Sequence, residues 1–108
     1  MATIVVIPGS SVTGTVPIKV IPAGLSSSVG IILTTDSAGN TIAYQSAQKA
    51  FTSTAAVQNV AVPVTVPAAG GLFYVWVNVM LSGISIGAFA QGNTLMAQDV
   101  EVGEVIWS

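Results

Sequence analysis

The run from Leu72 to Leu81, L-F-Y-V-W-V-N-V-M-L, constrains the fold more than any other part of the chain. It follows a turn at Pro67 to Gly71, and its β-branched and aromatic side chains are typical of strands. Successive side chains of a strand point to opposite faces, so one face carries the apolar set Phe73, Val75, Val77, Val79 and Leu81. The other face carries Leu72, Tyr74, Trp76, Asn78 and Met80. Neither face has the Ser, Thr and Lys pattern of a surface that meets only water.

Two interpretations of the second face stay open. The first is a central strand with other parts of the chain packed on both sides. The second is a docking patch, because aromatic side chains and Met are enriched in the cores of protein interfaces. The candidate partner-contact residues are therefore Leu72, Tyr74, Trp76 and Met80.

The composition is unusual in its shortage of charge. Residues 1–108 have the length of a single domain that can bury its own core. Hydrophobic residues make up 52% of the chain and charged residues 6%, against about 25% charged in an average protein. There are two Lys and no Arg, which excludes nucleic-acid binding and an electrostatic attachment to anionic membranes. No apolar run reaches the roughly 18 residues of a membrane span, so no membrane insertion is expected.

Alternating apolar residues predict about eight strands and no convincing helix. The predicted strands are Ile4–Ile7, Val12–Val20, Val29–Leu33, Ile42–Tyr44, Val60–Val66, Leu72–Leu81, Ile84–Ala90 and Leu95–Trp107. Since proline cannot donate a ladder hydrogen bond, Pro17 indicates an edge strand or a bulge in its strand, and Pro63 indicates a second edge strand.

The connections are also predicted from local signals. Ser82-Gly83 and Gly92-Asn93 are interpreted as hairpin turns, and the turn formers from Asp36 to Asn40 predict a hairpin between the strands on either side. Ser26 to Ser28 is interpreted as loop, and a single helical turn is considered at Ala47 to Phe51. These elements together predict an all-β, two-sheet antiparallel sandwich, with a jelly roll as the alternative.

Two stretches resemble immunoglobulin-like modules of cell-surface proteins and viral capsid decoration proteins. P-A-A-G-G-L-F-Y-V-W-V-N-V, from Pro67 to Val79, is similar to the P-x-x-G-x-Y-x-V-x-V pattern of their penultimate strand. Pro8-Gly9 followed by Val12 to Val20 resembles their opening strand. The resemblance covers about half of the chain and implies an immunoglobulin-like sandwich of about 7–8 strands, with a role in scaffolding or attachment. It transfers no binding residues, and the cysteine pair of antibody domains is absent.

The residues needed for catalysis are scarce. The chain has no His and no Cys, which removes the commonest general base and the usual nucleophile arrangements. Ser46 and Lys49 match the S-x-x-K pattern of penicillin-recognising enzymes, but the companion S-D-N and K-T-G elements are missing. The chain is therefore expected not to be an enzyme, and Ser46 to Lys49 is interpreted as a loop with a solvated lysine.

Three of the four acidic residues cluster near the end of the sequence: Asp99, Glu101 and Glu104. Asp99 and Glu101 alternate on one predicted strand face with Glu104 nearby, which suggests a cation site, but calcium takes six to eight oxygen ligands and no D-x-D-x-D-G loop is present. A solvated acidic strand end is the favoured interpretation, and no metal and no cofactor are expected.

The expected function is that of a non-enzymatic structural or decoration subunit in a virion or comparable surface lattice. Low charge opposes free solubility, and proline-marked edges limit random pairing while apolar surface remains for a chosen partner. Its partners would be copies of itself or lattice subunits, in a homo- or hetero-oligomer. The first residues lack the basic region of a signal peptide, which favours a virion or assembled surface structure. The alternative is an extracellular adhesion or carbohydrate-binding module excised from an exported protein.

Overall fold

The computed structural model describes residues 3–100 and 103–107, in which eight strands and no helix are formed. The strands are β1 (Thr3–Val6), β2 (Ser11–Lys19), β3 (Ser26–Thr34), β4 (Ile42–Gln45), β5 (Lys49–Thr52), β6 (Val57–Thr65), β7 (Gly71–Leu81) and β8 (Ile84–Ala97). The prediction of an all-β chain with about eight strands is confirmed.

The larger sheet has six strands in the order β1-β8-β7-β3-β4, and β5 pairs with the first residues of β3 while β4 pairs with its last. β7 lies between β8 and β3 and is antiparallel to both, which confirms it as a central strand. All the pairings in this sheet are antiparallel except that of β1 with β8, which is parallel. The expectation of purely antiparallel sheets is therefore wrong at this one pair.

The smaller sheet consists of β2 and β6, paired antiparallel, and it packs against the inner face of the larger sheet. Gly14 marks a close approach, because a Cβ atom there would lie 2.5 Å from Cδ1 of Ile31. The two sheets enclose one buried apolar cluster: Val16, Val29, Ile31, Leu33, Val60, Val62, Val64, Val66, Phe73, Val77, Val79 and Ala97. The sequence alternation therefore identified the inward face of β7 correctly at Phe73, Val77 and Val79.

Both proline-marked strands are edge strands in the described chain, as predicted. Gly9 has a φ of 77° and forms a bulge beside β2, in which the Val66 N–H donates to the Ser10 carbonyl at 2.9 Å. Because ladder bonds alternate along an antiparallel pair, even-numbered residues of β2 turn their backbone groups toward β6. Pro17, which pairs with Asn59, and Pro63, which pairs with Thr13, therefore turn their backbone nitrogens away from the shared ladder, where a missing N–H costs no hydrogen bond.

The Ser82-Gly83 hairpin is confirmed. The two residues join β7 to β8, and their φ angles of 51° and 78° are both positive. Two positive values define the type I′ turn, whose twist matches that of the flanking strands. The hairpin between β3 and β4 is also confirmed.

Gly92-Asn93 is not a turn, contrary to expectation. Both residues lie within the 14-residue strand β8. Tyr74 pairs with Thr94 and Trp76 with Ala90, so extra residues of β8 are accommodated as a bulge at this point. Glycine and asparagine favour bulges as well as tight turns, which explains the error.

Three further assignments are corrected. Ser26 to Ser28 begins β3, where β5 and β7 pair with its two edges, and the suggested helical turn at Ala47 to Phe51 is replaced by β5. The closing strand ends at Ala97 instead of Trp107. The alternation of Val100 with Val102 is not testable in full, because Val102 lies outside the described residues.

Candidate functional site

The four candidate partner-contact residues all lie on the outward face of the six-stranded sheet, opposite the core. Leu72 is exposed, whereas Tyr74, Trp76 and Met80 are half-buried. Their cross-strand neighbours on β3 include Thr34, Ile32 and Ser28. The structure therefore brings the four side chains to one face. Leu72 is more exposed to solvent there than Tyr74, Trp76 and Met80 are.

Trp76 is held by its own chain. Its indole Nε1 donates to Oγ1 of Thr34 at 3.1 Å, and Thr34 is 1% exposed. Gly39 lies against the ring, since a Cβ atom at Gly39 would be 2.8 Å from Cζ2 of Trp76. The loop between β3 and β4 therefore packs against Trp76, as expected of a central strand with cover on both faces.

Asp36 fixes the conformation of that loop. Its carboxylate accepts hydrogen bonds from the Thr41 N–H at 2.9 Å and the Asn40 N–H at 3.0 Å. Donors to a carboxylate stabilise its charged form, so first Thr41 and then Asn40 hold the pKa of Asp36 below its ordinary value. Asp36 thus helps to place Gly39 on the tryptophan ring.

An apolar row crosses three neighbouring strands near one end of the outward face. Val5 on β1 pairs with Met96 on β8, and Met96 pairs with Leu72 on β7. Val5 is 61% exposed, Leu72 is 38% exposed, and Met96 between them is half-buried. We call Val5, Met96 and Leu72 the outer row. The sequence predicted only Leu72 of these residues, because nothing local in the sequence indicates that β1 pairs in parallel with β8.

The side chain of Ser46, the serine of the S-x-x-K motif, forms two hydrogen bonds with the backbone. Its Oγ accepts from the Ile31 N–H at 2.8 Å and donates to the Ala47 carbonyl at 3.1 Å. The residue is 6% exposed, while Lys49 is exposed on β5. These hydrogen bonds link β3 to the segment that joins β4 to β5.

The acidic cluster falls partly outside the described residues, because Glu101 is not among them. Asp99 and Glu104 are exposed. Within residues 3–100 and 103–107, no three His, Cys, Asp or Glu side chains are grouped so as to hold a metal ion. The same part of the chain contains no helix of the length and apolarity needed to cross a membrane.

A large apolar cavity opens between the two sheets on the side of β2. Its volume is about 880 Å³. One wall is β2 along its length, and the other is formed by the inner faces of β1, β7 and β8. Its principal apolar side chains are Ile4, Val6, Val12, Ile18, Val75, Leu81, Ile86, Phe89 and Leu95. We call this cavity the β2 groove. No residue pattern in the sequence predicted the β2 groove, because the groove depends on where the smaller sheet ends.

No protein-family model, no curated protein and no solved structure matches this chain.

Proposed function

We propose that this protein is a non-enzymatic structural or decoration subunit of a protein assembly, such as a virion or comparable surface lattice. It acts through contacts between its sheets and other protein subunits. Its partners are copies of itself or other lattice subunits, and its immunoglobulin-like resemblance fits a scaffolding role.

The outer row is the observation that carries this proposal. Three adjacent apolar side chains on three strands form a continuous surface, and Val5 and Leu72 are largely or partly exposed to solvent. Contiguous apolar surface of this kind marks sites of protein association. Tyr74, the next outward residue of β7 after Leu72, extends the surface with an aromatic ring, as is common at interfaces.

The charge deficit supports the same role. The net charge is −2 over 108 residues, which gives weak electrostatic repulsion between copies. Ser46, the one candidate nucleophile of the S-x-x-K motif, has both of its hydrogen bonds committed to the backbone. The described features therefore fit a role in binding other proteins better than a role in catalysis.

Sedimentation velocity of the full chain over a range of concentrations tests the proposal. Leu72→Asp and Val5→Asp place a charge in the outer row and are expected to weaken association by about tenfold or more, because each removes apolar contact. Val57→Asp is the matched control, since Val57 is 64% exposed on the smaller sheet. A chain that stays monomeric at high concentration, and that behaves identically in all three variants, would contradict the proposal.

The carbohydrate-binding alternative has one observation in its favour, an exposed tryptophan. Trp107 is 87% exposed, and sugar-binding surfaces use exposed aromatic rings. Fluorescence titration with soluble glycans distinguishes the two functions. A saturable shift that Trp107→Phe abolishes would favour the sugar-binding module over the structural subunit.

A further inference from the structure

The β2 groove has the form of a sandwich that lacks a strand. The smaller sheet has two strands and the larger sheet has six, so β2 and β6 cover only part of the inner face. Ile86 and Phe89 of β8 and Ile4 of β1 line the groove and are 52%, 51% and 47% exposed, respectively. These side chains point toward the core side of the sheet with nothing packed over them in the described chain.

The backbone of β2 offers hydrogen bonds along this groove. Odd-numbered residues of β2 turn their N–H and C=O groups away from β6, as the bonding at Ser10 and Val66 indicates. Thr13, Thr15 and Lys19 line the groove and retain their N–H groups, whereas Pro17 has none. An added strand would therefore form hydrogen bonds with β2 both before and after Pro17 along the chain. Its inward side chains would enter the groove, which is the general form of β-augmentation.

The same chain contains an apolar segment without a place to pack. After β8 ends at Ala97, Gln98 to Trp107 forms no strand in its described residues. Four of its large side chains are strongly exposed: Val100 at 82%, Val105 at 63%, Ile106 at 92% and Trp107 at 87%. We call residues 98–107 the C-segment.

We propose that the C-segment of one copy of this chain inserts as a strand into the β2 groove of a second copy. The apolar side chains of the segment then cover Ile86, Phe89 and Ile4 of the recipient. Charge is complementary, because Lys19 is the charged residue that lines the groove and the C-segment sequence contains three acidic residues and no basic one. The length of the C-segment also matches that of β2. β2 has nine residues, and paired strands both rise by about 3.3 Å per residue, so residues 98–107 can pair along all of it.

A second copy is favoured over the segment's own groove. The described residues of the C-segment already lie exposed, outside the groove of their own copy. A contact between two different surfaces of identical chains is heterologous and propagates from copy to copy unless its rotation closes a ring. The β2 groove is distinct from the outer row, whereas Gln98 to Val100 at the start of the C-segment lie beside Val5 of that row.

Two complementary variants test the proposal by sedimentation velocity. Phe89→Asp places a charge in the groove and leaves the C-segment intact, while Ile106→Asp does the reverse. Both are made in a Leu72→Asp background, so that the outer row does not contribute to association. There we expect the chain without further change to form oligomers larger than dimers, each variant alone to be monomeric, and an equimolar mixture of the two to form a heterodimer that grows no further. Ile42→Asp is the control, because Ile42 is 54% exposed on β4, outside the groove.

The following results would contradict insertion of the C-segment into the β2 groove. An unaltered chain that is monomeric at every concentration, or a mixture of folded variants that stays monomeric, overturns the proposal. So does an Ile42→Asp chain that dissociates as fully as Phe89→Asp. If circular dichroism shows that Phe89→Asp is unfolded, Thr15→Pro replaces it, since this change removes an N–H on the free edge and leaves the ladder with β6 intact. Because the set is measured in a Leu72→Asp background, the groove is tested separately from the outer row, and either can fail alone.

Discussion

Gly39 shows how one residue without a side chain supports the central tryptophan. It has a φ of 79°, and a Cβ atom there would lie 2.8 Å from the Trp76 ring. Gly39→Ala therefore combines left-handed backbone strain, worth about 1–2 kcal/mol, with displacement of the ring. We expect it to lower the free energy of unfolding by at least about 2 kcal/mol, measured by urea denaturation.

Gly24→Ala is the matched control for that substitution. Gly24 has a φ of 86° but no atom within 4 Å of its missing Cβ, so only the backbone strain applies. The loss at Gly39 should exceed the loss at Gly24, with a change in tryptophan emission at Gly39 alone. Equal losses at both positions would mean that contact with Trp76 contributes nothing.

Asp36 gives the fold a pH dependence whose sign follows from its hydrogen bonds. Its pKa in the folded chain lies below the ordinary value of 3.8 because the Thr41 and Asn40 N–H groups stabilise the carboxylate. The stabilising effect is therefore present above the unfolded pKa and is lost as the pH falls through the folded pKa. Unfolding midpoints should decrease for the unaltered chain as the pH is lowered below about 4, and Asp36→Asn should decrease less.

The Asp36→Asn protein is the reference for the pH series of the unaltered chain. The two proteins differ only at residue 36, so the difference between the unaltered chain and Asp36→Asn isolates Asp36. An identical pH profile for the two proteins would show that the loop draws no stability from this carboxylate.

At the residue scale the sequence predicted the two faces of β7 but not the fate of each side chain. A period of two assigns Trp76 to the outward face, which is correct. Its hydrogen bond to Thr34 spans 42 positions of sequence, and its contact with Gly39 depends on a loop from another hairpin. Such contacts follow from the three-dimensional packing, so the alternation of apolar residues could not distinguish a covered tryptophan from a docking one.

At the scale of elements, the type I′ turn between β7 and β8 leads to a stability prediction. Ser82 adopts a φ of 51°, a region that asparagine tolerates better than serine does. Ser82→Asn is expected to raise the free energy of unfolding by about 0.5 kcal/mol. Ser11→Asn serves as control, because Ser11 is an exposed strand residue. A gain of the same size at Ser11 would assign the effect to composition instead of turn geometry.

Elements with local signals were predictable, and those that depend on distant partners were not. Ser82-Gly83 and the prolines of β2 and β6 act through their own backbone geometry, so sequence reasoning placed them correctly. β5 is a strand because the edge of β3 is available to it, and its own four residues carry little signal. The long strand β8 continues through Gly92-Asn93 because Tyr74 and Trp76 of β7 continue to pair on either side of the bulge.

At the scale of the whole molecule, the C-segment is expected to be dispensable for folding. Its described side chains beyond Asp99 are exposed, whereas the Gln98 N–H donates to the Val6 carbonyl at 3.1 Å. A chain ending at Gln98 should therefore unfold within about 2 °C of the full chain when both are measured at low concentration. A decrease well beyond that would mean that the segment packs on its own copy.

The parallel pairing of β1 with β8 determines how the molecule responds to pulling. β1 and β8 run in the same direction over four residue pairs, from Thr3 and Thr94 to Val6 and Ala97. A tension that draws the chain outward before Thr3 and after Ala97 would slide one strand along the other, and all four pairs would resist at once. An antiparallel pair loaded at one end would instead open one bond after another. The first and last strands therefore act together as a mechanical clamp against tension along the chain.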